Sequence, residues 1–199
     1  MRVNRVVDRK PKLDDLRNGD LRAFQQVYDH HCPRLHRFLL RLSGNPAVAQ
    51  DLLQDTWLAF ARNAHRLDHE TDLAAWLFTV ARNRHRSWRR WAVFDLLRLD
   101  RLRAVENELA PAADEEYALS ETQAHVEAAI QRLSPALREV LLLVVVEGLE
   151  TGQVAAVLGI QPDAVRQRLS RARSQLAKHL EAGTDARVAD LRVDQGGKP

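Results

Sequence analysis

Apolar residues recur along most of the chain at spacings of three and four, the period of an amphipathic helix. Leu21, Phe24 and Val27 follow this spacing near the start, and Val165 begins a similar stripe near the end. Ser43-Gly44 and other glycine-containing steps interrupt the pattern where helices would end. Helices are predicted over about 14–27, 35–42, 46–64 and 73–91, and through most of 121–181.

The helical periodicity falls into two blocks, 13–91 and 122–181. The segment 92–121 between them lacks a clear period and contains many acidic residues. We therefore predict an all-α protein with two small helical domains, an N-terminal helical bundle and a C-terminal helix-turn-helix domain, joined by a flexible acidic linker. Residues 1–12 are expected to form a basic tail and residues 182–199 a flexible tail.

Composition excludes several classes of protein. The 199 residues are 45% hydrophobic, which is too apolar for a wholly disordered chain. The longest apolar run, 140–146, is far shorter than the ~20 residues of a membrane-spanning helix, so no membrane insertion is expected. The single cysteine, Cys32, excludes an internal disulfide framework and fits a cytoplasmic protein.

The formal charge of +3 hides an uneven distribution along the chain. Residues 82–103 contain eight arginines and two aspartates, residues 104–131 contain seven acids and no lysine or arginine, and residues 164–180 contain five basic residues and no acid. Two basic segments around an acidic one are typical of a nucleic-acid-binding protein. The alternative for each segment is an ordinary solvated surface.

The helix predicted over 73–91 separates its charges from its apolar residues. On a helical wheel Trp76, Trp88 and Trp91 fall on one side, which we expect to face the core; the alternative is that their rings are stacking platforms for bases. No glutamate lies between residues 82 and 91 to pair with the arginines on the other side, so an anionic partner such as a phosphate backbone is indicated. The candidate contacts are Arg82, Asn83, Arg86 and Arg90.

The segment 153–169 has the pattern of a helix-turn-helix. Gly159 stands at the turn, where a left-handed backbone is least costly for glycine. Asp163 and Ala164 begin the second helix, which we interpret as a recognition helix for the major groove of duplex DNA. A plain helical hairpin is the alternative. The side chains expected to reach bases and phosphates are Arg166, Gln167, Arg168, Arg171 and Arg173.

One cluster of residues invites a metal-site hypothesis. His30, His31, Cys32 and His36 are close in sequence, but adjacent residues make a poor tetrahedral set and Pro33 disturbs the helix. The sequence also lacks a glycine-rich phosphate loop and a pair of catalytic carboxylates. We therefore expect no metal site, no cofactor and no enzymatic activity.

The chain resembles the extracytoplasmic-function sigma factors, the promoter-specificity subunits of bacterial RNA polymerase. Three blocks carry the resemblance in the family's order and spacing. The first begins at Asn18-Gly19-Asp20. The second runs from Ala49-Gln50-Asp51-Leu52-Leu53-Gln54-Asp55 to Ala81-Arg82-Asn83. The third runs from Leu133-Ser134-Pro135 through the helix-turn-helix to Ser170-Arg171-Ala172-Arg173.

The resemblance implies roles for both domains. Residues 13–91 would be sigma region 2, which binds the clamp helices of the polymerase's largest subunit and reads and melts the −10 element, with Arg66 and His69 in the loop that captures a base. Residues 122–181 would be sigma region 4, which binds the −35 duplex and the flap of the second-largest subunit. The polymerase-binding candidates are Asp51, Leu52, Gln54, Asp55 and Trp57.

The resemblance also implies a path for the linker and a regulator. The acidic linker would thread through the polymerase's active-site cleft and RNA exit path, and an anti-sigma factor would hold the protein inactive. An autonomous helix-turn-helix regulator that binds duplex DNA without polymerase is the alternative function, although it would need neither the acidic surface of Asp51 and Asp55 nor the basic helix 73–91. The third hypothesis for the function is a small helical enzyme or metal sensor.

Overall fold

The computed structural model describes the backbone of residues 13–99 and 121–194, and the side chains of 14–92 and 122–182. The predicted tail 1–12, most of the linker and residues 195–199 lie outside the described residues. Within them the backbone forms helices and no strand, which confirms the all-α prediction. The helices are α1 Leu13–Arg17, α2 Leu21–Ser43, α3 Pro46–Asn63, α4 Leu73–Leu99, α5 Glu121–Gln131, α6 Pro135–Leu141, α7 Thr151–Leu158 and α8 Pro162–Asp194.

Local capping sets several of these boundaries. The side chain of Asn45 accepts a hydrogen bond from the Val48 amide at 3.1 Å, and Pro46 occupies the first turn of α3. Asp20 caps α2 by accepting from the Arg22 amide at 2.7 Å. Gly159 ends α7 with a φ of +64°, the left-handed conformation expected at the helix-turn-helix turn.

Three helices are longer than predicted. Helix α2 runs unbroken through Pro33, because the burial of Val27, His31 and Leu35 on one face outweighs the hydrogen bond that proline cannot donate. Helix α4 continues to Leu99, into the predicted linker, where no glycine or proline stops it. Helix α8 continues to Asp194, into the predicted flexible tail, and no proline interrupts residues 182–194.

The N-terminal helices pack around an aromatic core. The Phe38 and Phe78 rings meet edge to face at 5.2 Å between α2 and α4, and Phe24 stacks on Phe60 of α3 at 5.3 Å. In the C-terminal group, α6 and α7 pack on α8, with Val140, Val154 and other apolar side chains wholly buried. None of the described helices is long and apolar enough to cross a bilayer.

The two helical groups lie against each other. Helix α4 contacts α7, and α2 contacts α5, α6 and the π-helical turn Leu142–Val146. We call this contact surface the seam. The buried apolar residues of α1–α4 and α5–α8 form one continuous cluster across it. The sequence pattern predicts two helical domains but carries no sign of this packing.

Candidate nucleic-acid and polymerase interfaces

The predicted polymerase-binding residues of α3 divide into a surface set and a supporting set. Asp51, Gln54 and Asp55 are exposed on one side of the helix. Leu52 and Trp57 are buried, and the Trp57 ring lies 4.7 Å from Tyr28. A partner therefore meets the polar side chains, whereas Leu52 and Trp57 hold the helix in place.

Two apolar residues next to this acidic surface were not among the predicted contacts. Leu58 is three residues beyond Asp55, on the same side of α3, and is 46% exposed. Trp91 is 70% exposed, so the prediction that it faces the core is wrong. A helical wheel shows on which side of a helix a residue lies but not whether another helix covers it, and among the described residues nothing covers Trp91.

A groove of about 440 Å³ separates α3 from α4. The acidic side chains Asp51 and Asp55 line one wall, and Arg84 and Trp91 line the other. Exposed carboxylates beside apolar surface form a suitable dock for a basic, amphipathic partner helix. An amphipathicity scan of α3 alone would have identified Leu58, but only the packing of α4 identifies the groove.

The predicted DNA-contacting residues of α4 are not equally accessible. Asn83, Arg86 and Arg90 are exposed. Arg82 is buried, and its Nε donates to Oε2 of Glu139 at 2.9 Å while Nη1 donates to the Val157 carbonyl at 3.3 Å. The prediction that Arg82 faces outward is wrong in this arrangement, because the helices of the second group cover that turn of α4.

The loop 66–72 is polar and exposed around a buried anchor. Leu67 is buried, whereas Arg66 and His69 are exposed. The His69 ring lies between two acids, with Nδ1 2.7 Å from Asp68 and Nε2 3.5 Å from Glu70. The end of the loop is joined to the second helical group, since Gln153 Nε2 donates to Asp72 Oδ2 at 2.5 Å.

Helix α8 presents a polar side to solvent and an apolar side to the core. Val165 and Ala172 are wholly buried and fix its rotation. Asp163, at the start of the helix, bonds to the guanidinium of Arg166. The exposed candidates are Asp163, Arg166, Gln167, Arg171 and Arg173, and the half-buried ones are Ala164 and Arg168.

Three ion pairs cross the seam, and the sequence reasoning identified none of them. Among the residues that the structure describes, Arg82 pairs with Glu139 at 2.9 Å, Arg34 with Glu147 at 3.1 Å, and Arg41 with Glu127 at 2.6 Å. Burial raises the pKa of Glu147, against the opposing effect of Arg34. Glu139 and Glu147 lie directly before and after the apolar run 140–146. An acid beside such a run is expected to be buried, and a buried acid needs a cationic partner, so this position is the sequence signal for these two pairs.

The histidine cluster of α2 is dispersed by the helix. His31 is buried, and desolvation lowers its pKa to about 4. His30 is exposed and meets the His31 ring edge to face at 4.7 Å, while Cys32 and His36 are half-buried. In the described part of the chain, no three side chains of the histidine, cysteine, aspartate or glutamate types come together as metal ligands.

Comparison with known proteins covers both helical groups. Residues 27–92 match the family described as Sigma-70 region 2, and residues 124–176 match Sigma-70, region 4. The sigma factor CarQ of Myxococcus xanthus is 33% identical, over 84% of this chain and 95% of its own. The extracytoplasmic-function sigma factor EcfG of Rhodopseudomonas palustris is 34% identical, over 85% of this chain and 87% of its own.

A solved structure shares the arrangement of helices. It contains the sigma factor RpoE in complex with the anti-sigma factor NepR from Bartonella quintana. The sigma factor chain is 28% identical to this one, and the match covers 81% of this chain and 98% of that chain with a TM-score of 0.68.

Proposed function

Because the chain belongs to the extracytoplasmic-function sigma factors, we propose that it binds core RNA polymerase and directs initiation to promoters through their −10 and −35 elements. Proteins of this family are initiation factors and not enzymes. One chain has an exposed acidic surface on α3 and exposed basic surfaces on α4 and α8. This combination supports the assignment of the polymerase contact to α3 and of the DNA contacts to α4 and α8.

The polymerase contact is assigned to α3. Exposed Asp51, Gln54 and Asp55 would meet basic side chains of the clamp helices, and the neighbouring groove would accept apolar ones. Asp51 and Asp55 are like charges four residues apart, which repel each other by roughly 0.2–0.5 kcal/mol in an isolated helix. A cationic partner offsets that repulsion. Region 4 is assigned to the flap of the second-largest subunit.

The DNA contacts are assigned to two surfaces. Arg66 and His69 of the exposed loop, with Asn83, Arg86 and Arg90 of α4, would hold the melted −10 strand and a base taken out of the stack. The polar side of α8 would enter the major groove at the −35 element, where arginine and glutamine side chains make bidentate contacts to guanine and adenine. Ala164 and Arg168, which are half-buried, would lie at the edge of that contact.

Contact with both promoter elements requires the seam to open. The elements lie about 25 base pairs apart, which is roughly 85 Å of duplex at ~3.4 Å per base pair. A packed body of about 160 residues has a radius of gyration near 15 Å, and even α8, with 33 residues at about 1.5 Å each, is only about 50 Å long. The packed arrangement is therefore assigned to the polymerase-free protein, and opening would also release Arg82 for the −10 strand.

An anti-sigma factor is the proposed regulator, since RpoE, with the same arrangement of helices, forms a complex with NepR. A protein that binds the packed arrangement would keep Arg82 buried and the two DNA-binding surfaces too close together. The proposed location is the cytoplasm: at the nucleoid when the protein is active, and near the membrane when its regulator is anchored there.

Promoter-dependent transcription with purified core polymerase, with and without the protein, tests the function. We expect new transcripts from promoters with matching −10 and −35 elements only when the protein is present. Binding to duplex promoter DNA without polymerase, and no gain in specific transcription, would favour the autonomous helix-turn-helix regulator instead.

A charge-reversal variant tests the polymerase contact. Asp51→Arg with Asp55→Arg is expected to abolish binding to core polymerase while leaving the circular dichroism spectrum unchanged, because both side chains are exposed. Asp29→Arg is the control for reversal of a surface charge, since Asp29 is an exposed acid on α2 that accepts a hydrogen bond from the Gln25 side chain. Equal polymerase affinity in the two variants would contradict the assignment to α3.

A further inference from the structure

A cavity of about 240 Å³ lies in the seam, apart from the surfaces assigned above. The end of α2 contributes Leu42 and Ser43, α4 contributes His85, Trp88 and Arg89, and α6 contributes Arg138. A water molecule occupies about 30 Å³ in the liquid, so the cavity has room for a tetrahedral oxyanion together with a few waters. Both helical groups supply its walls, so the cavity exists only while the seam is closed.

The charge in the cavity is positive and unbalanced. Arg89 and Arg138 line it, and none of the described side chains around it is acidic. Burial lowers the pKa of Arg138, and repulsion from Arg89 lowers it further. Burial likewise lowers the pKa of His85 to about 4, with smaller contributions from Arg89 and Arg138. Arg89 and Arg138 are therefore close enough to repel each other, while burial keeps the His85 ring neutral near pH 7.

Arg138 differs from the other arginines of the seam. Arg34, Arg41 and Arg82 each pair with a glutamate. In the described part of the chain Arg138 has no such carboxylate partner. Its Nη1 donates to the Leu42 carbonyl at 3.2 Å, and its Nη2 donates to the carbonyls of Gln131 and Leu133. A half-buried cation bonded only to neutral groups lacks the counter-charge that buried charges normally have.

Two buried nitrogen atoms of residues that line the cavity lack hydrogen-bond partners. His85 is only 2% exposed, and its buried Nδ1 atom has no hydrogen-bond partner. The Nε atom of Arg138 is also buried and without a partner. Unsatisfied polar atoms are rare in protein interiors and imply a ligand or a specific role. Here both are nitrogen atoms, which suits a group that offers several acceptor oxygens.

We propose that this cavity binds a phosphate group, with Arg138 and Arg89 supplying the positive charge and His85 a further hydrogen bond. An oxyanion offers at least three strong acceptors and negative charge, which are the features missing from the cavity. The phosphate can belong to a free small molecule or to a nucleic-acid backbone. Because α2, α4 and α6 all contribute to the site, a bound phosphate stabilises the closed seam by mass action. This inference goes beyond the proposed function and does not depend on it.

The test is calorimetric titration of the full-length protein with two probes, inorganic phosphate and a short oligothymidylate, at constant ionic strength. Arg89→Gln is the main variant, because Arg89 is exposed and its loss leaves the core intact. Arg132→Gln removes the same charge from an exposed position that does not line the cavity. A second variant, Arg138→Gln, removes the buried cation, and its folding is checked by circular dichroism.

Wild-type protein is expected to bind at least one probe with a saturable isotherm and a 1:1 stoichiometry. Arg89→Gln is expected to weaken that binding at least tenfold, and Arg132→Gln less than twofold. Saturation by inorganic phosphate identifies a free phosphate as ligand. Saturation by the oligonucleotide alone identifies a backbone phosphodiester in the cavity only when Arg138→Gln also weakens it at least tenfold, because Asn83, Arg86 and Arg90 bind a DNA strand in the proposed function and do not line the cavity. Oligonucleotide binding that Arg138→Gln leaves unchanged would overturn the proposal. Absence of saturable binding by either probe, or equal weakening by Arg89→Gln and Arg132→Gln, would overturn the proposal.

Discussion

The buried ion pair between Arg82 and Glu139 is expected to hold the seam closed. The two side chains are 10% and 9% exposed, and Arg82 also donates to the Val157 carbonyl. Glu139→Gln removes the negative charge while keeping an oxygen that can accept from Arg82. The remaining guanidinium is then buried without a counter-charge, unless the seam opens and water reaches it.

The magnitude follows from the geometry. At 2.9 Å and an effective dielectric constant of about 20, the attraction between the two charges is roughly 6 kcal/mol. Desolvation of both ions cancels much of that energy, and removal of one partner from a buried pair costs about 3–5 kcal/mol. Since glutamine keeps one hydrogen bond, we expect the closed arrangement to lose about 3 kcal/mol relative to the open one, which is more than a hundredfold in the equilibrium constant.

Small-angle scattering and amide hydrogen exchange measure this shift. The radius of gyration of Glu139→Gln should increase, and the amides of α7 should exchange faster, while helical content is unchanged. Glu127→Gln is the matched control, because its pair with Arg41 is about one-quarter exposed and such pairs contribute about 0–1 kcal/mol. Arg82→Met combined with Glu139→Leu should restore the closed arrangement, since apolar replacement removes both desolvation costs.

The same radius and exchange rates in Glu139→Gln and Glu127→Gln would refute the reasoning. It would mean that apolar packing alone holds the helical groups together. If Arg82→Met with Glu139→Leu has the same increased radius of gyration as Glu139→Gln, then Arg82 and Glu139 act through their shape rather than their charge.

The remaining predictions concern DNA contact, pH and stability. Arg168→Ala with Arg171→Ala should reduce transcription from promoters that depend on a −35 element several-fold more than from others, and an equal loss at all promoters would contradict the role of α8. Burial lowers the pKa of His85 to about 4, below the ~6.5 of an unfolded chain. The folded protein therefore disfavours the protonated ring. Above pH 6.5 the ring is neutral in both states and the free energy of unfolding does not depend on it. As the pH falls toward 4, only the unfolded chain takes up the proton, and the free energy of unfolding decreases by up to about 1.4 kcal/mol per pH unit. His85→Asn should flatten the dependence of urea unfolding on pH in that range, and an unchanged slope would argue against it. Phe38→Ala should cost about 3–5 kcal/mol in urea unfolding and Leu58→Ala about 0.5 kcal/mol or less, because Phe38 is fully buried and Leu58 is not; similar losses would show that the described core is incorrect.

Capping and turn positions could be predicted because their chemistry is local. Asn45, Pro46 and Gly159 act on backbone groups within a few residues, so the neighbouring residues in the sequence are sufficient to predict where the helices begin and end. The recognition helix is predictable for a similar reason, since the spacing from Val165 to Ala172 sets which side of α8 is buried. The outcome at Pro33 was not predictable, because it depends on how much core its helix contributes.

The accessibility of the site residues could be predicted only in part. A helical wheel separates the polar and apolar sides of a single helix, and it correctly exposes Arg86 and Arg90. A wheel does not show that another helix covers one turn and leaves a later turn of the same helix exposed to solvent. Arg82 and Trp91 were misassigned for that reason: the second helical group buries Arg82, whereas Trp91 is left exposed at the groove between α3 and α4.

The sequence by itself determined the helical class, the family and the division into acidic and basic surfaces, because periodicity and charge are properties of neighbouring residues. Only the tertiary structure decided that the two helical groups close on each other, that Arg82 is neutralised by Glu139, and that Arg138 remains without a carboxylate in the described part of the chain. The three ion pairs across the seam join residues that are 57 or more positions apart, and Arg82 and Glu139 are the nearest in sequence. Whether a charge is exposed, paired or left uncompensated depends on packing between helices, and no local pattern contains that information.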